Sequence, residues 1–339
     1  MSWNALRVLL RGVPMMLATL FALMLVTFGL SSLSPIDPAL QLIGDHASAS
    51  TYTQVRHELG LDAPWPRQLG RYVAAVVVHG DLGVSRSTGQ PVRDDLERVF
   101  PATIELATLA LIVGGVCGLG LALASVRYPR GFIDGFARVI SLAGNSIPVF
   151  WLGLIALYVF YARLHWVGGT GRLSDAFEYT VDMRSGFVLL DAWRGGERGA
   201  LSDALAHLIM PVLILASYAL GNITRLIRAA LLGEAGKEYV TLARAKGAGR
   251  TRVLLHHMAP NIRGFALTVL ALTYTNLLEG AVLVETVFAR PGIGRYLTTA
   301  LFDADMPAIL GATLLIGACF VVVNGFTDLA VRLSDPRIA

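Results

Sequence analysis

Charge is scarce in this chain. Asp, Glu, Lys and Arg make up 15% of its 339 residues, where a soluble domain carries about 25%. Apolar runs of twenty or more residues take their place, so several membrane-crossing helices are expected. Cysteine is scarcer still. Cys117 and Cys319 are the only two, and both stand inside apolar runs. They can build neither a disulfide framework nor a zinc site, and they read as small buried hydrophobes. Lysine occurs twice, at Lys237 and Lys246, against 26 arginines. Catalytic signatures are missing too. An intramembrane hydrolase would need a G-x-S-x-G, an H-E-x-x-H or a matched pair of intramembrane aspartates, and none occurs. No G-x-x-x-x-G-K-[ST] marks a nucleotide site, and Gly233-Glu-Ala-Gly-Lys237 has the wrong spacing and lacks the Ser/Thr. No internal repeat is apparent, which argues against the two related halves of a secondary transporter.

What is present is six apolar segments, at roughly 10–32, 102–126, 138–161, 205–227, 265–288 and 308–331. Each is long enough to cross a hydrocarbon core of about 30 Å. The fold class predicted is an all-α membrane protein with six transmembrane helices and folded external loops. The first segment follows Arg7 and Arg11 and could imitate a secretory signal. It exceeds the core length of such signals, and Ser34-Pro-Ile-Asp-Pro38 stands where a cleavage site would, so it is expected to remain as a span. With the N-terminus inside, the inner segments hold 15 basic residues against four acidic ones, and the outer segments 13 basic against 16 acidic. This asymmetry predicts cytoplasmic N- and C-termini. It also accounts for the net charge of +4 without nucleic acid. The expected organisation is residues 1–33 as N-terminal segment and first helix, 34–100 as external segment, and 101–332 as transmembrane domain. Residues 228–263 form its inner loop. The external stretches 34–100 and 162–204 carry enough Trp, Tyr, Leu and Val to fold.

The inner loop is the most informative segment. Glu238-Tyr-Val-Thr-Leu-Ala-Arg-Ala-Lys-Gly247 is too charged for lipid, yet apolar spans flank it. The pattern predicts a helix over 233–247 starting at Gly233-Glu234, with Tyr239, Leu242 and Ala243 on one face. Gly247-Ala-Gly249 breaks it, and a second helix over 251–258 ends before Pro260-Asn261. Such a helix can slot into a groove on a partner. On these grounds alone an ordinary positively charged inner loop remains the alternative.

The same stretch resembles the EAA loop of ATP-binding-cassette importer permeases. In that loop a glycine is followed after nine residues by I-x-L-P, as Gly247 is followed here by Pro260. His257 and Ala259 replace the Ile and Leu, and Thr241 stands where many members have Glu. The segment Tyr239–Gly247 suits the peptide-transporting branch, Y-[VI]-x-x-A-R-A-K-G. Nearly the whole chain resembles the dipeptide/oligopeptide/nickel importer permeases, through Leu33–Pro38, Leu59–Pro64, His79–Gly83, Phe100–Leu106, Ser146–Trp151, Glu285–Gly294 and Asp335–Ile338. The resemblance implies a type I importer transmembrane domain in the bacterial inner membrane. It would form half of a translocation pathway for dipeptides or oligopeptides and would not itself be an enzyme. Its partners would be a second related permease, two cytoplasmic ATPases that hold ATP and Mg, and an external substrate-binding protein. This chain would bind no cofactor directly. The ATPase-coupling residues would be Glu238, Tyr239, Thr241, Leu242, Ala243, Arg244, Ala245, Lys246, Gly247, Pro260 and Asn261. Nickel chelates, glutathione and antimicrobial peptides are alternative cargoes, and an ATP-independent channel or carrier is the alternative machine.

Three carboxylates, Glu105, Glu279 and Glu285, fall within or at the ends of spans. Each must face a cavity or a partner, because a carboxylate in hydrocarbon is costly. Glu279, with Asn276 beside it, is a candidate for lining the pathway and favouring positively charged cargo. A buried structural carboxylate bonded to a neighbouring span is the alternative. His256-His257 reads as a polar face rather than a metal site, and Asp81, Asp94 and Asp95 as a solvated lip. Asn145, Pro148 and Gly153 are expected to bend and pack the third span.

Overall fold

The computed structural model describes residues 3–33, 38–44, 48–58 and 60–334. Without water to bond the backbone, a long apolar run must satisfy its own N–H and C=O groups, and a helix does so. All six apolar segments are helical. The principal helices are α1 (Trp3–Leu33), α2 (Val92–Arg127), α3 (Phe132–Ser146), α4 (Val149–Ala156), α5 (Ala200–Ala235), α6 (Glu238–Ala245), α7 (Arg263–Val287), α8 (Ile293–Phe302) and α9 (Met306–Ser334). Among the described residues, α2, α5, the run Arg250–Val287 and the run Met306–Val331 are each long and apolar enough to cross a membrane. A broken pair, Phe132–Ser146 with Val149–Arg163, makes a fifth candidate, and Pro14–Leu30 is a shorter apolar helix.

Three features of the helix boundaries stand out, and the first of them, the bend in the third span, was expected. The third span is not one rod: it bends by 99° between α3 and α4. The break falls at Ile147, whose backbone is extended (φ −87°, ψ 123°). Proline disfavours the helical conformation in the residue before it, and Pro148 follows. Second, α2 starts at Val92 and runs through Pro101, ahead of the expected 102. Third, α5 starts at Ala200, so Pro211 lies inside the helix rather than near its start.

The central pair is α2 against α5. Gly114 and Gly118 stand one turn apart on α2. A Cβ on Gly114 would come within 2.6 Å of the Ala216 carbonyl oxygen, and one on Gly118 within 3.1 Å of Ile223 Cβ. Small residues at this spacing let two backbones approach closely, which is how membrane helices gain packing without a hydrophobic driving force. Leu106, Ala107, Ala110, Leu215, Ala219 and Leu277 continue the seam as a buried apolar core. Polar links cross it as well. Asn222 Nδ2 donates to Thr273 Oγ1 at 3.1 Å, and Thr224 Oγ1 to the Gly118 carbonyl at 3.3 Å. Gly144 of α3 faces Ser217 and Gly221 of α5, and Gly153 of α4 faces Val287 and Phe288. Helix α1 lies along α9, where Met16 and Leu23 meet Gly325 and Gly317. Cys117, expected to be buried, is exposed on the outside of this bundle, and Cys319 is half-buried.

The two segments expected to be external are folded where they are described, with short helices at Pro38–Ile43, Ala49–Glu58, Trp65–Ala74, Asp175–Glu178 and Val188–Gly195. Of the sequence motifs, residues 34–37, Leu59 and 335–339 lie outside the described residues.

Candidate functional site

At the basic end of the bundle, α5 does not stop at Gly233-Glu234, where a new helix was expected to start. It continues to Ala235. The chain turns at Gly236, Lys237 is extended (φ −77°, ψ 150°), and α6 begins at Glu238. Glu234 therefore becomes the anchor of the turn. Its carboxylate accepts from Lys237 Nζ at 2.6 Å and from the Tyr239 hydroxyl. Burial, and then this bond, push the Tyr239 phenol above its ordinary pKa. The inward face of α6 is Val240, fully buried, and Ala243 at 8% exposure, both in the apolar core with Val253, Leu254 and Met258. Tyr239 is half-buried, whereas Leu242, expected on the same face as Ala243, is 56% exposed. Glu238, Thr241, Arg244, Ala245 and Lys246 are exposed around it.

The helix closes as a Schellman motif. Gly247 N donates to the Arg244 carbonyl at 2.9 Å, and Ala248 N to the Ala243 carbonyl at 3.1 Å. Gly247 takes φ +83°, a left-handed conformation in which glycine carries no Cβ penalty. The chain then re-enters a helical path at Arg250–Arg252, widens into a π turn over Val253–Met258 and tightens to a 3-10 turn over Ala259–Ile262. The expected stop before Pro260 is absent. Pro260 sits at the start of the 3-10 turn, where its missing N–H costs little, and the path continues into α7. Asn261 Nδ2 donates to the His257 carbonyl at 2.8 Å, and both Pro260 and Asn261 are exposed. Arg127 Nε at the end of α2 donates to Thr251 Oγ1 at 2.9 Å. Nearby, buried Asp134 of α3 accepts from Arg228 of α5 at 2.7 Å and from Arg138. His256 and His257 lie in the π turn.

At the opposite end, Glu285 and Glu105 are buried and find their partners within the chain. Glu285 accepts from Thr103 Oγ1 at 2.6 Å, from Gly294 N at 2.8 Å and from Arg295 N at 3.3 Å. It thereby caps the first turn of α8, where free N–H groups favour an anion. Thr103 Oγ1 in turn accepts from Ile293 N at 2.8 Å. Gly292 has to be glycine, because a Cβ there would sit 2.2 Å from the Glu285 carboxylate. Glu105 accepts from Val188 N and Leu189 N at 3.3 and 3.0 Å, and lies 3.8 Å from both Arg172 and Arg290. Burial, with Arg172 nearby, pushes the Arg290 guanidinium down to about 10. The motif Glu285–Gly294 is thus a buried corner joining α7 to α8. Asp95, expected on a solvated lip, is buried and bonded to Arg98 at 2.6 Å and to Thr88. Asp81 and Asp94 are exposed. The sequence reading missed Thr103, Arg290, Asp134 and the buried Asp305, which accepts from Ser85 Oγ at 2.7 Å. Thr103 and Arg290 fall inside the motifs Phe100–Leu106 and Glu285–Gly294, and Asp134 and Asp305 in connecting stretches, but none of these positions names a partner.

Glu279 and Asn276 lie together on an exposed stripe of α7. Asn276 Nδ2 donates to the Tyr218 hydroxyl of α5 at 3.2 Å. Glu279 is not the buried, bonded carboxylate that was the alternative.

Two family descriptions divide the chain: the N-terminal part of the binding-protein-dependent transport system membrane component over residues 5–107, and the inner membrane component of such systems over 114–339. The probable D,D-dipeptide transport system permease protein DdpB of Escherichia coli is 39% identical over 99% of this chain and 97% of its own length. The di/tripeptide permease DppB of Pseudomonas aeruginosa is 35% identical over 97% of each. The dipeptide permease DppB of Escherichia coli is 34% identical over 98% of each. With nearly the whole length matched and the apolar helices in place, this chain belongs to the family of inner membrane components of binding-protein-dependent transport systems.

Proposed function

We propose that this permease forms half of the pathway of an importer for dipeptides or short oligopeptides, and that separate ATPase subunits push on it at Glu238–Asn261. One observation carries the coupling reading: α6 is anchored inward by Val240 and Ala243 while it presents Leu242 outward in a charged rim. A short helix with an apolar knob and charged surroundings is what a groove on a partner accepts. Glu234 ties the segment to α5 and Arg127 ties it to α2, so a push on α6 reaches the spans. The peptide cargo rests on relatives named for dipeptides and di/tripeptides. In this reading an external binding protein delivers the peptide and a second related permease completes the pathway. The ATPases hold ATP and Mg, and the basic end faces the cytoplasm.

The test is Gly247→Pro in the assembled transporter in proteoliposomes. Proline holds φ near −65° and cannot adopt the +83° found here. Peptide uptake and peptide-stimulated ATP hydrolysis should fall to background while membrane insertion persists. Wild-type stimulation in this variant would count against coupling at Gly247. Purification of a self-sufficient homo-oligomer that moves cargo without an ATPase would replace the importer by a channel or carrier.

A further inference from the structure

Glu279 is placed where an unpaired carboxylate should not survive unless something fills its surroundings. It stands eight residues before Val287, about 12 Å along the helix axis from the end of α7 at 1.5 Å per residue. It is exposed and has no hydrogen bond or ion pair among the described residues. The other carboxylate of α7, Glu285, is 1% exposed and fully bonded, so the helix does not carry stray acids by default. A charge at this depth is costly against lipid tails, so Glu279 faces either water or a protein partner.

The residues around it favour water. Leu272, Asn276, Glu279, Leu283 and Thr286 are all exposed. At 100° per residue they fall within a stripe of about 80°. Three of the five are polar, the stripe carries no basic residue, and the Tyr218 hydroxyl of α5 adjoins it through Asn276. A stripe of amide, hydroxyl and carboxylate with a single negative charge suits a passage for hydrated, hydrogen-bonding cargo, and it attracts cations.

We propose that Glu279 is a specificity-determining residue of the pathway, and that its carboxylate contacts the cationic side chain of lysine- or arginine-bearing peptides during passage. The assignment rests on the peptide-importer reading and deepens it. In proteoliposomes holding the complete transporter, uptake is compared for two tripeptides that differ only by lysine against norleucine. Glu279→Gln should lower lysine-peptide uptake by at least about tenfold relative to the norleucine peptide, the scale of one charge pair in partly aqueous surroundings. Glu279→Asp should keep the wild-type preference. An equal change for both peptides, or none for either, overturns the proposal and leaves the importer reading intact. Failure of the Glu279→Gln permease to assemble with its partners places the carboxylate at a subunit interface and also overturns it. A wild-type transporter that moves neither peptide overturns the cargo reading itself, and the proposal with it.

Discussion

At the corner between α7 and α8, Glu105, Glu285 and Arg290 are at most 7% exposed, and both carboxylates accept from backbone N–H groups of neighbouring segments. At the basic end, Glu238 and Arg244 on a helix of eight residues, and Lys246 just past its end, stand exposed with no ion pair to another described residue. Both regions carry charges next to apolar spans. In the corner the two carboxylates are bonded by the chain's own backbone, so they hold geometry. On α6 they are left for something outside the chain. A buried acceptor whose donors lose it leaves those donors desolvated and unmatched, whereas an exposed charge is already solvated and its removal costs the fold little. Burial therefore sorts the two ends into a fixed corner and an available surface.

The contrast can be broken most forcefully at Glu285. Glu285→Ala strands Thr103, Gly294 and Arg295 without their shared acceptor and should destabilise the chain by about 3 kcal/mol or more. Denaturant unfolding in mixed micelles reads this, and a change under about 1 kcal/mol would mean that the corner is not held by its carboxylate. Asp134→Asn tests a buried charge that lies at the basic end. It keeps the volume but weakens the bonds to Arg228 and Arg138, so a loss of about 1–2 kcal/mol is expected. No loss would make burial a poor guide there. The smallest stability effect belongs to Leu242→Ala, within about 0.5 kcal/mol because the side chain is exposed. That variant should nonetheless lower peptide-stimulated ATP hydrolysis in the assembled transporter. Full stimulation together with unchanged stability would leave the exposed face of α6 with no role.

Several of these features could be read in advance and several could not. The break in the third span was legible because Pro148 acts locally, restricting Ile147 wherever the chain is placed. The turn at Gly247 was legible for the same reason: a left-handed cap is a property of one residue and its neighbours. The start of α6 was misread because Gly233 and Glu234 look like a helix beginning, while packing against the spans carries α5 past them to Ala235. Leu242 was grouped on one face with Ala243, from which the fold separates it, because apolar character alone does not say which of Tyr239, Val240, Leu242 and Ala243 meets the core. Asp95 was misassigned for the complementary reason, since its burial and its partner Tyr296, 201 positions away, are set only by the folded chain.

Apolar run length was enough to establish a polytopic helical membrane protein, because it depends on transfer free energies, and the transport family came from the resemblance carried by the order of short motifs. Which carboxylates are sealed against backbone donors and which face outward was settled only by the packing of α2, α5, α7 and α8. Hydrogen bonds between residues 190 positions apart, such as Ile293 N to Thr103 Oγ1, need both partners fixed in space before either can be counted.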